Sequence, residues 1–472
     1  MRLLLVSTYE LGHQPIHLAL PAAELSAAGI EVETLDLSIE HLDEALLARI
    51  DAVAFSVPMH TAMRLAIDLA SKVREARPLL PVAFYGLYAA VGKDWTVGNV
   101  ADLVIAGEYV TELVDWARAL ADGSTPPRGV VVSLERSHPA KPDRSTLPRH
   151  DGYARLEWGG ESRLAGAVEA THGCRHRCRH CPIPVVYDGR IRLVGVEPVL
   201  SDIEQLATGG VQHVTFADPD FMNAPRYSLD VLHAAHAAHP ELTFDVTVKV
   251  EHVLAHRELW AEMSELGVLF VVSAFESVDE ATLEILDKNH TVQDMSGAVG
   301  VLRDAGIHVR PTWLPFLPWT RPDHLVQLVR FLDDHELWAA TDPVQLAIKL
   351  LIPEGSLLES HPAVTPFLLE YEPSALTWAW GFEHSSTELL HKQLDVFAAE
   401  ASDAAADSHE VLAAMRKAIG DETGVDFGPI RWSGEETPRL TESWFCCAEP
   451  TIGQATAVAL SIGRVPALTD DR

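Results

Sequence analysis

The residues that can do chemistry here are cysteines, and they fall in two places. Cys174, Cys178 and Cys181 lie in the run Thr171-His-Gly-Cys-Arg-His-Arg-Cys-Arg-His-Cys-Pro182, and Cys446 and Cys447 lie near the C-terminus. Five cysteines in 472 residues cannot staple a chain this long into a disulfide framework, and none is left over as core filler. Three thiolates at x3 and x2 spacing on one loop can hold three irons of a four-iron cluster, leaving the fourth iron open to a small-molecule ligand. The spacing alone also admits zinc, completed by His176 or His180. A closed structural zinc belongs in a small ribbon or treble clef, however, and Arg175, Arg177 and Arg179 surround the thiolates with positive charge that suits an anionic cluster. The tail pair bridges poorly to itself, because the ring enclosing one peptide bond is strained. Two neighbouring thiols suit the clamping of a soft, thiophilic atom; the plainer reading is a pair of small packed hydrophobes. Flanking Trp444, Phe445 and Pro450 point to an anchored loop.

These loops need a scaffold, and the alternation of apolar runs supplies one. Strands are predicted at Arg2–Ser7, Ile30–Leu37, Ala52–Val57, Val82–Gly86 and Leu103–Ala106, with helices between them such as Leu18–Ala28 and Met63–Ala76. This pattern predicts an α/β fold that begins with a doubly wound, Rossmann-like domain over 1–121. Pro139, Pro142 and Pro148 mark a linker over 122–162. A second alternation over 163–360 places strands at Arg163–Ala170, His213–Ala217, Thr243–Val250, Val268–Phe275, His308–Leu314 and Val344–Leu351. Six βα units in so short a span predict an open, partial barrel, with the cysteine loop following its first strand. Residues 361–472 read as a mostly helical extension ending in the Cys-Cys tail.

Composition narrows the partners. Lys and Arg number 36 against 68 Asp and Glu, a formal charge of −32, which disfavours nucleic acid and anionic lipid. No apolar run reaches membrane-spanning length, and the first residues lack a cleavage site, so a cytoplasmic protein without membrane association is expected.

The three-cysteine loop followed by six βα units resembles the radical SAM superfamily, although His180 stands where that family usually has an aromatic residue. The resemblance implies a [4Fe-4S] cluster on Cys174, Cys178 and Cys181 that chelates and reductively cleaves S-adenosylmethionine, with electrons from a flavodoxin or ferredoxin. Weaker matches place cofactor contacts at Asp218 and Asp220 after the second barrel strand, at Glu276 and Ser277 (followed by Lys288) after the fourth, and at His180. Leu351-Ile-Pro353-Glu-Gly355-Ser356 is similar to the family's sixth-strand motif. A Rossmann-like domain ahead of such a barrel resembles the cobalamin-binding subfamily. The Asp-x-His-x-x-Gly cobalt-ligand signature is absent, so cobalamin is compatible but not favoured.

The tail Cys446-Cys447-Ala-Glu449-Pro450 resembles the CUAEP/CCAEP-tail radical SAM proteins. That group is similar to enzymes that move the 3-amino-3-carboxypropyl group of S-adenosylmethionine onto arsenite to make hydroxyarsinothricin. The resemblance implies a transferase of antibiotic biosynthesis in which Cys446 and Cys447 hold trivalent arsenic. Two rival readings share these motifs: a cobalamin-dependent radical SAM methyltransferase, and a non-enzymatic metalloid sensor with a cluster and a dithiol switch.

Overall fold

The computed structural model describes residues 1–135, 141–403, 407–432, 434, 436–442, 449–450 and 454–455. Cys446 and Cys447 lie outside the described residues. The first sheet contains β1 (Arg2–Ser7), β2 (Glu31–Asp36), β3 (Ala52–Ser56), β4 (Val82–Tyr85), β5 (Leu103–Gly107) and β6 (Gly129–Ser133). All pairs are parallel, in the order β2-β1-β3-β4-β5-β6. The central strands read as unbroken apolar runs because helices cover both faces; Leu3, Leu5, Ala54, Phe55 and Phe84 are fully buried. Strand order reverses between β1 and β3, so the crevice at their carboxyl ends is where such a sheet receives ligands. The sheet extends past residue 121 by taking in β6, whose apolar run Val130–Val132 was hidden in the proline-flanked stretch.

The second sheet is led by β7 (Arg155–Trp158) and β8 (Glu161–Val168). A short hairpin follows, β9 (Thr171–Gly173) with β10 (Ile191–Leu193), and then β11 (His213–Phe216), β12 (Thr243–Thr247), β13 (Val268–Glu276) and β14 (His308–Trp313). A second hairpin, β15 (Leu368–Glu372) with β16 (Thr377–Trp380), and helices Ser385–Asp403 and Ser408–Thr423 make up the extension. The strand β17 (Arg439–Leu440) returns to β7, giving the order β14-β13-β12-β11-β8-β7-β17. From β8 to β14 every pairing is parallel, which makes the half-barrel.

The expected sixth barrel strand, Val344–Leu351, departs from its prediction. Pro343–Leu346 is a 3-10 turn, and pairing is reduced to one parallel bridge between Phe316 and Lys349. Pro343 has no N–H to give a ladder, and the Gln345 side chain accepts the Trp313 N–H at 2.9 Å, where a strand carbonyl would have paired.

One apolar cluster fills the half-barrel around Trp260, Trp313 and Trp338 and continues to Leu390, Leu394 and Met415 of the two C-terminal helices. A second joins the first domain to the barrel, with Phe55, Met63 and Phe84 packed together with Tyr187, Leu286, Leu314 and Ile352. The two domains therefore share a core. No helix among the described residues is long and apolar enough to cross a membrane.

Candidate functional site

The cysteine loop leaves the end of β9, and Gly173 makes the turn possible. Its φ is +74°, and a Cβ there would lie 2.4 Å from the Arg190 carbonyl oxygen and 2.6 Å from the Tyr187 ring. Cys174 and Cys178 are buried, Cys181 is partly exposed, and all three are free thiols. The Asn223 amide points its Nδ2 at Cys174 Sγ from 3.5 Å and accepts the Arg175 N–H at 3.2 Å, fixing the first ligand. Arg179 donates to the carbonyls of Glu284 and Ile285, and Ser356 Oγ donates to the Arg179 carbonyl at 3.0 Å, fixing the far end. Burial, then the nearby Asp220 carboxylate, pushes the free Cys174 thiol up to about 11, and bound iron would displace its proton. The donor set fits a [4Fe-4S] cluster: three thiols on one clamped loop, with a buried cation beside them.

That cation is Lys288. Its Nζ is 3.0 Å from Glu276 Oε1, which also lies 3.2 Å from His180 Nε2. Burial alone would lower Lys288, but Glu276 first, then Cys178 and Cys181, hold it raised. Burial alone would raise Glu276, and Lys288 and His180 together hold it well below the usual carboxylate range. Glu276 sits at the end of β13 with φ +64°, beside a register shift. A left-handed backbone at a charged residue costs about 1–2 kcal/mol and persists because the Lys288 and His180 contacts over-determine it.

The other expected contacts have partners of their own in the fold. Both Asp218 oxygens are used inside the fold, accepting the Ala170 N–H at 3.0 Å and the Thr171 hydroxyl at 2.5 Å, so Asp218 shapes the approach to the loop. Burial raises it to about 7. Ser277 Oγ accepts the Asp279 N–H, ahead of the helix Glu280–Leu286. Asp220 meets His252 and His176.

Sequence reasoning missed the residues that join the domains. His17 bridges Glu10 and Glu169 at 3.1 and 3.2 Å, and His172 bridges Glu169 and Glu108 at 3.4 and 3.1 Å. Tyr187 donates to Glu108 at 2.9 Å. Burial would lower His172, but Glu108 and Glu169 outweigh it and raise it to about 10. This chain of alternating charge runs from the ends of β1 and β5 to the start of the cysteine loop. It also missed Lys249, Glu251 and His252, although a polar Lys-x-Glu-His run directly after a barrel strand is a legible signal.

Residues of the C-terminal segment contact the strand ends of the first domain. Tyr9, after β1, donates to Glu442 at 2.8 Å, and the Glu442 side chain lies against Gly12. His60, after β3, holds Glu449 at 2.9 Å, and Arg64 holds it at 3.0 Å. The C-terminal segment thus touches both sides of the switch point. His13, the histidine nearest β1, is buried, lowered to about 4 first by burial, and lies in the field of Asp245 and His213 of the barrel and Arg144 of the interdomain stretch.

Residues 168–332 match the Radical SAM superfamily. The hopanoid C-2 methylase of Rhodopseudomonas palustris (strain TIE-1) is 21% identical over 228 residues, which are 46% of this chain and 43% of that protein. The chain therefore matches less than half the length of that curated relative. Among solved structures, the cobalamin-dependent S-adenosylmethionine radical enzyme OxsB, with aqua-cobalamin and S-adenosylmethionine bound, superposes with a TM-score of 0.65 at 13% identity, covering 89% of this chain and 71% of that one. The radical S-adenosylmethionine methyltransferase TsrM of Kitasatospora setae, with tryptophan and a SAM analogue, gives 0.58 at 17%, covering 76% and 74%. At these identities the likeness is one of fold: a Rossmann-like domain ahead of a half-barrel.

Proposed function

We propose, with the radical SAM domain at residues 168–332 as the premise, that this enzyme transfers the 3-amino-3-carboxypropyl group of S-adenosylmethionine to trivalent arsenic held by Cys446 and Cys447. The observation that carries the reading is the anchoring of the tail. Glu442 and Glu449, the described residues on either side of the cysteine pair, are both held at the strand ends of the first domain, by Tyr9 and by His60 with Arg64. Burial would raise Glu449, but His60 and Arg64 hold it low, so it stays an anion and keeps its grip. The same edge of the domain grips the cysteine loop through Glu108 and His172.

A [4Fe-4S] cluster on Cys174, Cys178 and Cys181 supplies, when bound, the one-electron chemistry that opens the sulfonium of S-adenosylmethionine. The chain's own residues do the rest. Lys288 offsets the anionic charge of the thiolates, while Glu276 and His180 fix Lys288 and the loop. Two soft thiolates of the tail take up arsenous acid, which is neutral near pH 7 and is not repelled by the −32 charge. In the net reaction the Cγ–sulfur bond breaks and a carbon–arsenic bond forms. Methylthioadenosine leaves as a neutral thioether, arsenic rises from trivalent to pentavalent by giving up its lone pair, and two waters then hydrolyse the two sulfur–arsenic bonds, releasing the arsonic acid, one proton and both thiols. The alkyl group arrives at the sulfonium's oxidation level, so no net reductant is consumed.

The test is anaerobic incubation with reductant, S-adenosylmethionine and arsenite, without cobalamin, followed by arsenic-specific mass spectrometry. An aminocarboxypropyl–arsenic product supports the reading. A second reading, cobalamin-dependent methyl transfer, is favoured by the fold likeness to OxsB and TsrM; it requires spectroscopic uptake of cobalamin and a methylated product.

A further inference from the structure

We propose that His176, Asp220 and His252 form a mononuclear site for a divalent transition-metal ion of the zinc class, next to the cysteine loop and separate from its thiols. Each residue comes from a different element at the carboxyl end of the half-barrel. His176 lies between Cys174 and Cys178, Asp220 follows β11, and His252 is in the short helix Val250–Ala255 after β12. One ligand atom from each lies within 4.8 Å of the others. His176 Nε2 is 3.7 Å from Asp220 Oδ2, and Asp220 Oδ2 is 2.8 Å from His252 Nδ1. Ligands bound at about 2.0–2.1 Å in a tetrahedral site stand about 3.3 Å apart, and the two spacings lie on either side of that value.

Two further observations point to a ligand. Asp220 is completely buried, and only its Oδ1 is used, accepting the Met222 N–H at 3.0 Å. Its Oδ2 makes no hydrogen bond, and neither does His252 Nδ1, although the two atoms are 2.8 Å apart. A carboxylate oxygen so close to a ring nitrogen, off the line of a hydrogen bond, is how two ligands of one ion stand. A buried carboxylate without a partner is costly, and a dication between the three groups removes that cost. Behind His176, Glu251 Oε2 lies 3.7 Å from Nδ1, beyond hydrogen-bond reach, and adds a negative charge on that side of the ring. Lys249 is the nearby cation that would oppose a metal, and its Nζ is 3.5 Å from the same Glu251 oxygen, which offsets it. Two imidazoles and one carboxylate leave a coordination position open, the pattern of a site that takes up an oxygen ligand rather than of a closed structural site.

The experiment uses the full chain carrying Cys446→Ser and Cys447→Ser, so that zinc on the tail thiols cannot count. The cluster is assembled first and verified at about four irons. Equilibrium dialysis against zinc at micromolar free concentration, read by mass spectrometry of metals, should give one zinc per chain. Zinc-edge X-ray absorption should show nitrogen and oxygen neighbours at about 2.0–2.1 Å, with imidazole scattering and no sulfur at about 2.3 Å. Asp220→Asn, which retains the oxygen that caps Met222, and His252→Gln should each weaken zinc binding by at least about a hundredfold while keeping the irons. Failure to take up zinc, sulfur in its shell, or equal zinc binding in both variants with intact clusters would each overturn the site. None of these results depends on arsenic chemistry, so the site and the proposed reaction stand or fall separately.

Discussion

Arg144 in the stretch between the domains offers the sharpest stability test. Its guanidinium donates from Nε and Nη2 to the two oxygens of Asp202 at 2.6 and 2.8 Å, from Nη1 to Gln14 Oε1 at 2.8 Å, and from Nη2 to the Ala167 carbonyl at 2.7 Å. One side chain thus ties the interdomain segment to the loop after β1, to β8 and to the helix Val196–Thr208. The side chains of Arg144 and Asp202 are 5% and 2% exposed, so solvent cannot take over either charge. Arg144→Met leaves the Asp202 carboxylate buried and unpaired, and breaking a buried pair from one side costs about 3–5 kcal/mol. Arg144→Lys keeps the charge but loses the fork, and should cost less, about 1–3 kcal/mol. Arg144→Met with Asp202→Leu should recover most of the loss, because the penalty lies in the stranded charge. Urea titration followed by the summed tryptophan fluorescence reads it. If Arg144→Met stays within about 0.5 kcal/mol of the parent, or the double variant is no better than the single, the reasoning fails.

Cys174→Ala, Cys178→Ala and Cys181→Ala should each reduce the iron content of reconstituted protein from about four to near none, because three thiolates hold the whole cluster. One zinc and no sulfide on the parent loop would contradict this. Asp36, which accepts the Tyr153 hydroxyl at 2.7 Å, is raised by burial to about 6. The folded chain therefore holds a proton that the unfolded chain releases near its ordinary value. Stability from this group is complete below about pH 4 and falls as pH rises through about 6, by at most about 3 kcal/mol. Asp36→Asn, which accepts the same bond and cannot ionise, should flatten that slope in urea titrations across this range; an unchanged slope counts against it. Glu449→Ala should leave the cluster intact and lower arsenic product per S-adenosylmethionine cleaved by about ten- to a hundredfold, since misplacing a substrate-holding segment costs that much. Mass spectrometry of both products in one tube gives the ratio.

The parts of the site carried by local sequence were legible. Three cysteines at fixed spacing on one loop declare themselves, and the apolar runs of β1, β3, β4 and β5 announce a parallel sheet because burial on both faces leaves nothing polar in them. Lys288 is visible as the lysine downstream of Glu276-Ser277, though not as its ion-pair partner. What was not legible depends on which strand ends come together. His176, Asp220 and His252 are 32 to 76 residues apart in sequence, and the parallel order β8-β11-β12 brings them into one cluster. Asp218 reads as a cofactor contact from its place after β11, and its bonds to the Ala170 N–H and the Thr171 hydroxyl depend on the turn that follows β8. Val344–Leu351 had the apolar character of a strand, but Pro343 and the Gln345 side chain limit its pairing to the bridge at Lys349.

The central claim is that this enzyme forms a carbon–arsenic bond through its tail thiols. Its most direct test compares the parent with the Cys446→Ser/Cys447→Ser variant, each with its cluster assembled, in reductant, S-adenosylmethionine and arsenite under strict anaerobiosis. The parent should yield aminocarboxypropyl arsonate and methylthioadenosine in equal amounts. The variant should still cleave S-adenosylmethionine slowly and release no arsenic product, because a hard serine oxygen cannot replace a soft thiolate on arsenic. Full arsenic product from the variant would contradict the claim, as would 5′-deoxyadenosine without any arsenic product from the parent.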